Sequence, residues 1–289
     1  MTIFRRTIED FVERWVFRGQ IVLVFGPRQS GKTTFSKNFI KKYGDEGAYF
    51  SCEHADVRTH FLVGDPDKLR KLIQGKKVVV FDEAQTIENI GTILKVYWDK
   101  YPDIQIIATG SSSFDLANKI NEPMTGRAVE CVLPPLSLGE ITGVTPLTLD
   151  SFNDLLRFGS YPAIVSVPDE KDKATLLRSV TTNYLYKDVY MLESLRSPKL
   201  LEDLLRALAG QIGSTVSIKE LADTVGADSK TVKRYMRLLE QAYVIFRLHS
   251  FSRNHRNELK KAFKVYFMDV GIRNAILGNL SPMDERDDY

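Results

Sequence analysis

The residues best suited to chemistry are Gly26, Pro27, Arg28, Gln29, Ser30, Gly31, Lys32, Thr33 and Thr34, which follow the apolar run Ile21-Val-Leu-Val-Phe25 and meet the spacing G-x-x-x-x-G-K-T. This is a phosphate-binding loop in the setting such a loop needs, with a buried-type strand before it and a helical pattern after it over residues 35–43. Glycines let the backbone curl until its N–H groups converge on phosphate oxygens, and the following helix adds the positive end of its dipole. In this arrangement Lys32 reaches the β- and γ-phosphates, and the Thr33 hydroxyl binds Mg2+. ATP or GTP is therefore the expected ligand.

A second carboxylate motif lies in Lys76-Lys-Val-Val-Val-Phe-Asp-Glu83. Apolar residues bounded by charge predict a central strand of a parallel sheet, and ligands of such sheets gather at the strands' C-terminal ends. Asp82 is placed to hold the Mg2+ shell, and Glu83 to orient and polarise an attacking water. Alone, Asp-Glu after a strand is also a common charge pair at a helix start. Beside a phosphate loop it favours hydrolysis over phosphoryl transfer to a small molecule.

A third group, Thr109-Gly-Ser-Ser-Ser113, follows the apolar run at residues 104–108. Hydroxyls at the tip of a parallel strand can sense the γ-phosphate or the attacking water, Thr109 first among them. They also suit capping of the next helical pattern, residues 114–120. Cys52, His54 and His60 lack the regular spacing of a metal site and are read as packing or polar residues. Arg28 and Gln29 read as exposed loop residues within touch of phosphate or a partner.

The elements that must position these groups alternate. Strands are predicted at 48–50, 78–81, 104–108 and 128–133, with helices at 67–73 and 90–101, which describes an α/β/α sandwich around a mostly parallel sheet. From residue 150 onward the pattern turns helical, with apolar residues at helix spacing through Ile212. The expected organisation is a P-loop core over 1–145, a helical lid or linker over 146–212, and a winged-helix domain over 213–289. The frame agrees: 289 residues, 43% hydrophobic and 27% charged, are globular in composition and enough for about two domains. Two cysteines fit a reducing cytoplasm. No apolar run approaches the ~20 residues of a membrane span, so no membrane partner is expected.

Charge is concentrated late. Residues 217–226 and 228–243 predict two helices joined by a Gly-containing turn, a helix-turn-helix arrangement, and residues 244–251 and 263–268 predict two strands around a basic loop. Between Lys230 and Lys264 ten Lys and Arg stand against two Glu, a local balance of +8 in a chain whose total is +3. On the second helix Lys230, Lys233, Arg234 and Arg237 share one direction, opposite Val232, Tyr235, Met236 and Leu239. Such a stripe, with Arg253, His255 and Arg256 on the wing, suits the phosphate backbone of duplex DNA or another nucleic acid. A protein-docking module with a solvated basic face has the same pattern.

Taken together, the phosphate loop, Phe81-Asp-Glu-Ala-Gln85, Thr109-Gly-Ser-Ser-Ser113 and Thr125-Gly-Arg127, leading into Leu133-Pro-Pro-Leu-Ser-Leu-Gly-Glu140, resemble a group of prokaryotic AAA+-like ATPases that carry a domain of unknown function after the ATPase core. The resemblance continues through Phe158-Gly-Ser-Tyr-Pro162 and Lys264-Val-Tyr-Phe-Met-Asp-Val-Gly271. It implies a sheet order 5-1-4-3-2, ATP as the nucleotide, and Lys32, Thr33, Asp82 and Glu83 as ATPase residues. It also implies that Arg127 acts on the γ-phosphate, in cis or from a neighbouring subunit of a homo-oligomer. Relatives of this kind commonly continue past the equivalent of residues 287–289 into a nuclease-like α/β domain, and this sequence stops there. The function expected is a nucleotide-driven switch, in which ATP bridges the core to the later helices or to a neighbouring subunit. The alternative is an ATP-liganded DNA-binding regulator or docking module with little turnover, and a small-molecule kinase is a distant third.

Overall fold

The computed structural model describes residues 3–62, 65–111, 124–182, 197–249 and 263–286. Within it the chain divides into two compact units, one formed by Phe4–Pro134 and the other by the described residues from Pro135 onward.

The first unit is built on strands β1 (Ile21–Phe25), β2 (Gly47–Ser51), β3 (Val78–Asp82), β4 (Gln105–Gly110) and β5 (Ala128–Val132). They pair in parallel in the order β2-β3-β4-β1-β5, which is the order the resemblance implied. The runs Ile21–Phe25 and Val78–Phe81 are unbroken in hydrophobicity because helices cover both faces of the sheet and every residue in these strands is buried. Val22 and Val24 pack with Phe35 and Phe39 of the helix Lys32–Ile40 on one face. On the other, Phe81 meets Phe61 edge to face at 4.9 Å between ring centres. β4 is central and extends two residues beyond the predicted run, so that Thr109 and Gly110 still pair with Val24 and Phe25. Since β1 and β3 flank β4, the three loops leaving these strands must meet at one end of the sheet.

In the second unit a hydrophobic core runs from Phe158 and Leu177 through Leu201, Leu205 and Leu208 to Tyr235, Met236, Val265 and Ile272. The helical stretch and the later helix pair therefore share their buried surface. The helix Ile218–Val225 ends on Gly226, whose φ of +66° is the left-handed conformation a glycine stop allows. Asp228 caps the next helix, Ser229–Gln241, accepting from the Lys230 and Thr231 N–H groups at 2.9 Å each. An antiparallel sheet follows, with β6 (Thr215–Val216), β8 (Phe263–Phe267) and β7 (Ile245–His249) side by side.

Two glycines in this unit are set by close approach. A Cβ on Gly159 would lie 2.0 Å from Asp269 Oδ1, and one on Gly271 would lie 2.2 Å from the Phe158 carbonyl oxygen. The segments Phe158–Pro162 and Asp269–Gly271, far apart in sequence, are thus pressed together. Asp269 is buried and accepts from the Ser160 N–H at 2.7 Å and the Ile272 N–H at 3.2 Å, so it caps the helix Val270–Leu277 while holding the Ser160 loop. Burial raises its carboxyl above the usual range, against the pull of these donors.

Candidate nucleotide site

β1 ends at Phe25 and the chain turns at once: Gly26 has φ +155° and its α-carbon lies where a Cβ would be 2.2 Å from the Leu133 carbonyl oxygen. No side chain fits there. Gln29 (φ +61°) and Gly31 (φ +96°) continue the curl, and Gly31 is the N-cap of the helix Lys32–Ile40. Arg28 and Gln29 are exposed at the tip, Pro27 and Ser30 are buried, and Thr34 is exposed on the first helical turn. Lys32 is only 3% exposed. Its ammonium donates to the Gly26 and Pro27 carbonyls at 3.0 and 2.9 Å, inside the loop's own curve.

At the neighbouring strand end Asp82, 2% exposed, gathers hydroxyls. Thr33 Oγ1 donates to Oδ2 at 2.6 Å, Tyr49 Oη to the same oxygen at 2.7 Å, and Thr109 Oγ1 to Oδ1. Thr109 is fully buried and also accepts the Glu83 N–H at 3.1 Å. The phosphate loop, the β3 carboxylate and the β4 hydroxyl are thus one hydrogen-bonded cluster. Burial, then the hydrogen bond and negative charge of Asp82, push the Tyr49 phenol well above its ordinary value, so it remains a donor.

Glu83 leaves the strand in the left-handed conformation, φ +55° and ψ +43°, uncommon for a residue with a side chain. Its carboxylate is held by the Gln85 side-chain amide, which also donates to Ser111 Oγ at 3.1 Å. Beneath them Cys52 is fully buried, and its thiol is pushed up to about 12 by burial and by the charges of Asp82 and Glu83.

Arg127 lies elsewhere. Its carbonyl accepts the Ile21 N–H at 2.8 Å, so it stands where β1 begins and β5 has not yet started. Five residues of parallel strand, roughly 15 Å, separate that end from the phosphate loop. There its guanidinium stacks 5.3 Å from the Trp98 ring centre and reaches Asp99 at 3.5 Å. The expectation that Arg127 serves its own chain's γ-phosphate is corrected: parallel strands share direction, so a residue preceding β5 sits with the strand starts and away from the ligand end.

In the second unit Lys230, Lys233, Arg234 and Arg237 are all exposed on the helix Ser229–Gln241, while Val232, Tyr235, Met236 and Leu239 are buried. Arg247, counted among the basic residues, is tied to Glu240. Arg253 and Arg256 lie outside the described residues.

A nucleotide with Mg2+ fits what the loop presents. Ser30 Oγ is buried beside the curl with no hydrogen-bond partner among the described residues, and Thr33 and Asp82 offer a hydroxyl and a carboxylate side by side. Missed in the sequence were Tyr49, Gln85 and Arg6. Gln85 carried a signal, since it stands two residues after Glu83. The other two carried none.

A parallel 5-1-4-3-2 sheet whose β1, β3 and β4 ends join a phosphate loop, an acidic pair and a buried hydroxyl defines an α/β P-loop fold of the AAA type. Residues 18–142 match the AAA domain family, and residues 149–282 match a domain of unknown function, DUF8612. The Walker-type ATPase PABY2304 of Pyrococcus abyssi has a similar fold, with a TM-score of 0.66 and 14% identity over 95% of this chain and 96% of that one. An uncharacterized protein of Methanocaldococcus jannaschii is 25% identical over 91% of this chain and 64% of its own length. One of Mycobacterium tuberculosis is 27% identical over 96% and 60% respectively. The chain therefore spans less than two thirds of the length of these relatives. No helix among the described residues is long and apolar enough to cross a membrane.

Proposed function

We propose that the protein binds and hydrolyses ATP with Mg2+, and uses the cycle as a switch acting on nucleic acid through a winged helix. The observation that carries the first part is the convergence of Thr33, Tyr49 and Thr109 hydroxyls on one buried carboxylate, Asp82, at the mouth of the phosphate loop. Thr33 and Asp82 would hold Mg2+, which neutralises phosphate charge when bound. Lys32 supplies a buried positive charge within the curl, the Gly26–Gly31 backbone supplies N–H donors, and Glu83 takes the proton of an attacking water. Thr109 links the two acidic residues, since it donates to Asp82 and accepts from the Glu83 N–H. These bonds support a role for Thr109 in reporting phosphate occupancy from one to the other.

For the second part, the helix pair 218–241 followed by the antiparallel β6-β8-β7 sheet supports a winged-helix reading, and the exposed row Lys230, Lys233, Arg234 and Arg237 supplies the cations that a phosphate backbone requires. Arg127 would then act only on a neighbouring subunit of a homo-oligomer. One observation favours the low-turnover alternative: the Glu83 carboxylate is already engaged by Gln85. Steady-state phosphate release by wild type, Lys32→Ala and Glu83→Gln, with and without duplex DNA, decides between them. Turnover by wild type that is lost in both variants supports hydrolysis, and full turnover by Glu83→Gln sinks the general-base role.

A further inference from the structure

We propose that Arg6 is a positioning residue that braces the phosphate loop from the side away from the ligand, an inference that rests on the nucleotide-binding reading above. Arg6 belongs to none of the motifs and precedes the helix Ile8–Trp15, yet it is 4% exposed. Its guanidinium forks between two backbone carbonyls: Nη1 donates to Ser30 at 2.6 Å and Nη2 to Pro134 at 2.6 Å. Both are short charge-assisted bonds, and a planar fork can span two acceptors where an ammonium, a point charge, fixes neither direction.

The first prong sets a donor. In a trans peptide the carbonyl oxygen and the next N–H point in opposite directions, so fixing the Ser30 oxygen turns the Gly31 N–H away from Arg6. Gly31 is the left-handed N-cap of the helix Lys32–Ile40, and its N–H is one of the unpaired donors from which an anion site at a helix start is made. The second prong reaches the other end of the loop. Pro134 follows Leu133, whose N–H donates to the Phe25 carbonyl at 2.7 Å and whose own carbonyl closes the space beside Gly26. One buried cation therefore holds both the start and the end of the curl.

A loop braced this way does not have to be ordered by the nucleotide, so the gain lies in binding. Because the brace acts on bound substrate and transition state alike, its loss raises KM and leaves kcat nearly unchanged. The test uses the full chain and a fluorescent ADP analogue. Arg6→Ala is expected to weaken ADP binding by about ten-fold or more, Arg6→Lys to recover only part of it, and added guanidinium to restore affinity to Arg6→Ala without affecting wild type. Where Arg6→Ala does not fold, Arg6→Lys and Arg6→Gln carry the measurement. ADP affinity equal to wild type in any folded Arg6 variant overturns the proposal while leaving nucleotide binding intact, as does a fall in kcat at constant KM. Absence of ADP binding by wild type overturns both.

Discussion

At the scale of single residues, the acidic pair Asp82-Glu83 divides its work by backbone conformation. Asp82 is the last residue of β3, buried and held by three hydroxyls, whereas Glu83 turns into the left-handed region and presents its carboxylate to Gln85. On the proposed mechanism, replacing Glu83 by Gln keeps the shape and removes the proposed base, so phosphate release should fall by about 10²–10⁴ with ATP binding retained. A stopped assay with the fluorescent nucleotide as a binding control separates the two effects. Cys52 gives a pH test of the same pocket. Its thiol is raised to about 12, so the neutral form is favoured in the folded state. The stability this contributes is fully present below the unfolded value of about 8.5 and is lost as pH climbs toward 12. Iodoacetamide at pH 8 should therefore leave Cys52 unmodified until denaturant is added, and modification at the rate of a free thiol would show that the pocket opens.

Among the elements, the second unit depends on a contact between two short loops. Gly159, at φ +77°, leaves room for the Asp269 carboxylate, which binds Ser160 and caps the helix Val270–Leu277 in one stroke. Gly159→Ala adds both backbone strain and a collision with Asp269, and should cost about 3 kcal/mol. Urea unfolding followed by circular dichroism measures it, and an unchanged midpoint would mean that the loop yields without cost. The segments 158–162 and 264–271 were visible in the sequence as parts of the family resemblance. Their joint purpose was not, because 109 residues separate Ser160 from Asp269 and no periodicity links them.

For the molecule as a whole, the late charge excess carries the proposed contact with nucleic acid. Each phosphate neutralised on duplex DNA contributes about 0.9 to the slope of log affinity against log salt. Lys233→Glu with Arg237→Glu should lower that slope by about 2 and weaken binding to all sequences alike, measured by fluorescence anisotropy across a salt series. Binding that survives the double variant unchanged would remove the helix Ser229–Gln241 from the contact surface. The sequence by itself determined the phosphate loop, the acidic pair and the basic helix face, because each is written in residues a few positions apart whose backbone geometry is local. It also determined the sheet strands to within a residue or two, since buried parallel strands are near-continuous apolar runs. Only the tertiary structure decided that Arg127 stands at the wrong end of the sheet for its own chain, and that Tyr49 and Thr109 share Asp82. It alone showed that Arg6 reaches across 24 and 128 residues to grip Ser30 and Pro134. Those facts depend on strand order and on which buried polar groups find partners, and neither is encoded by any local spacing.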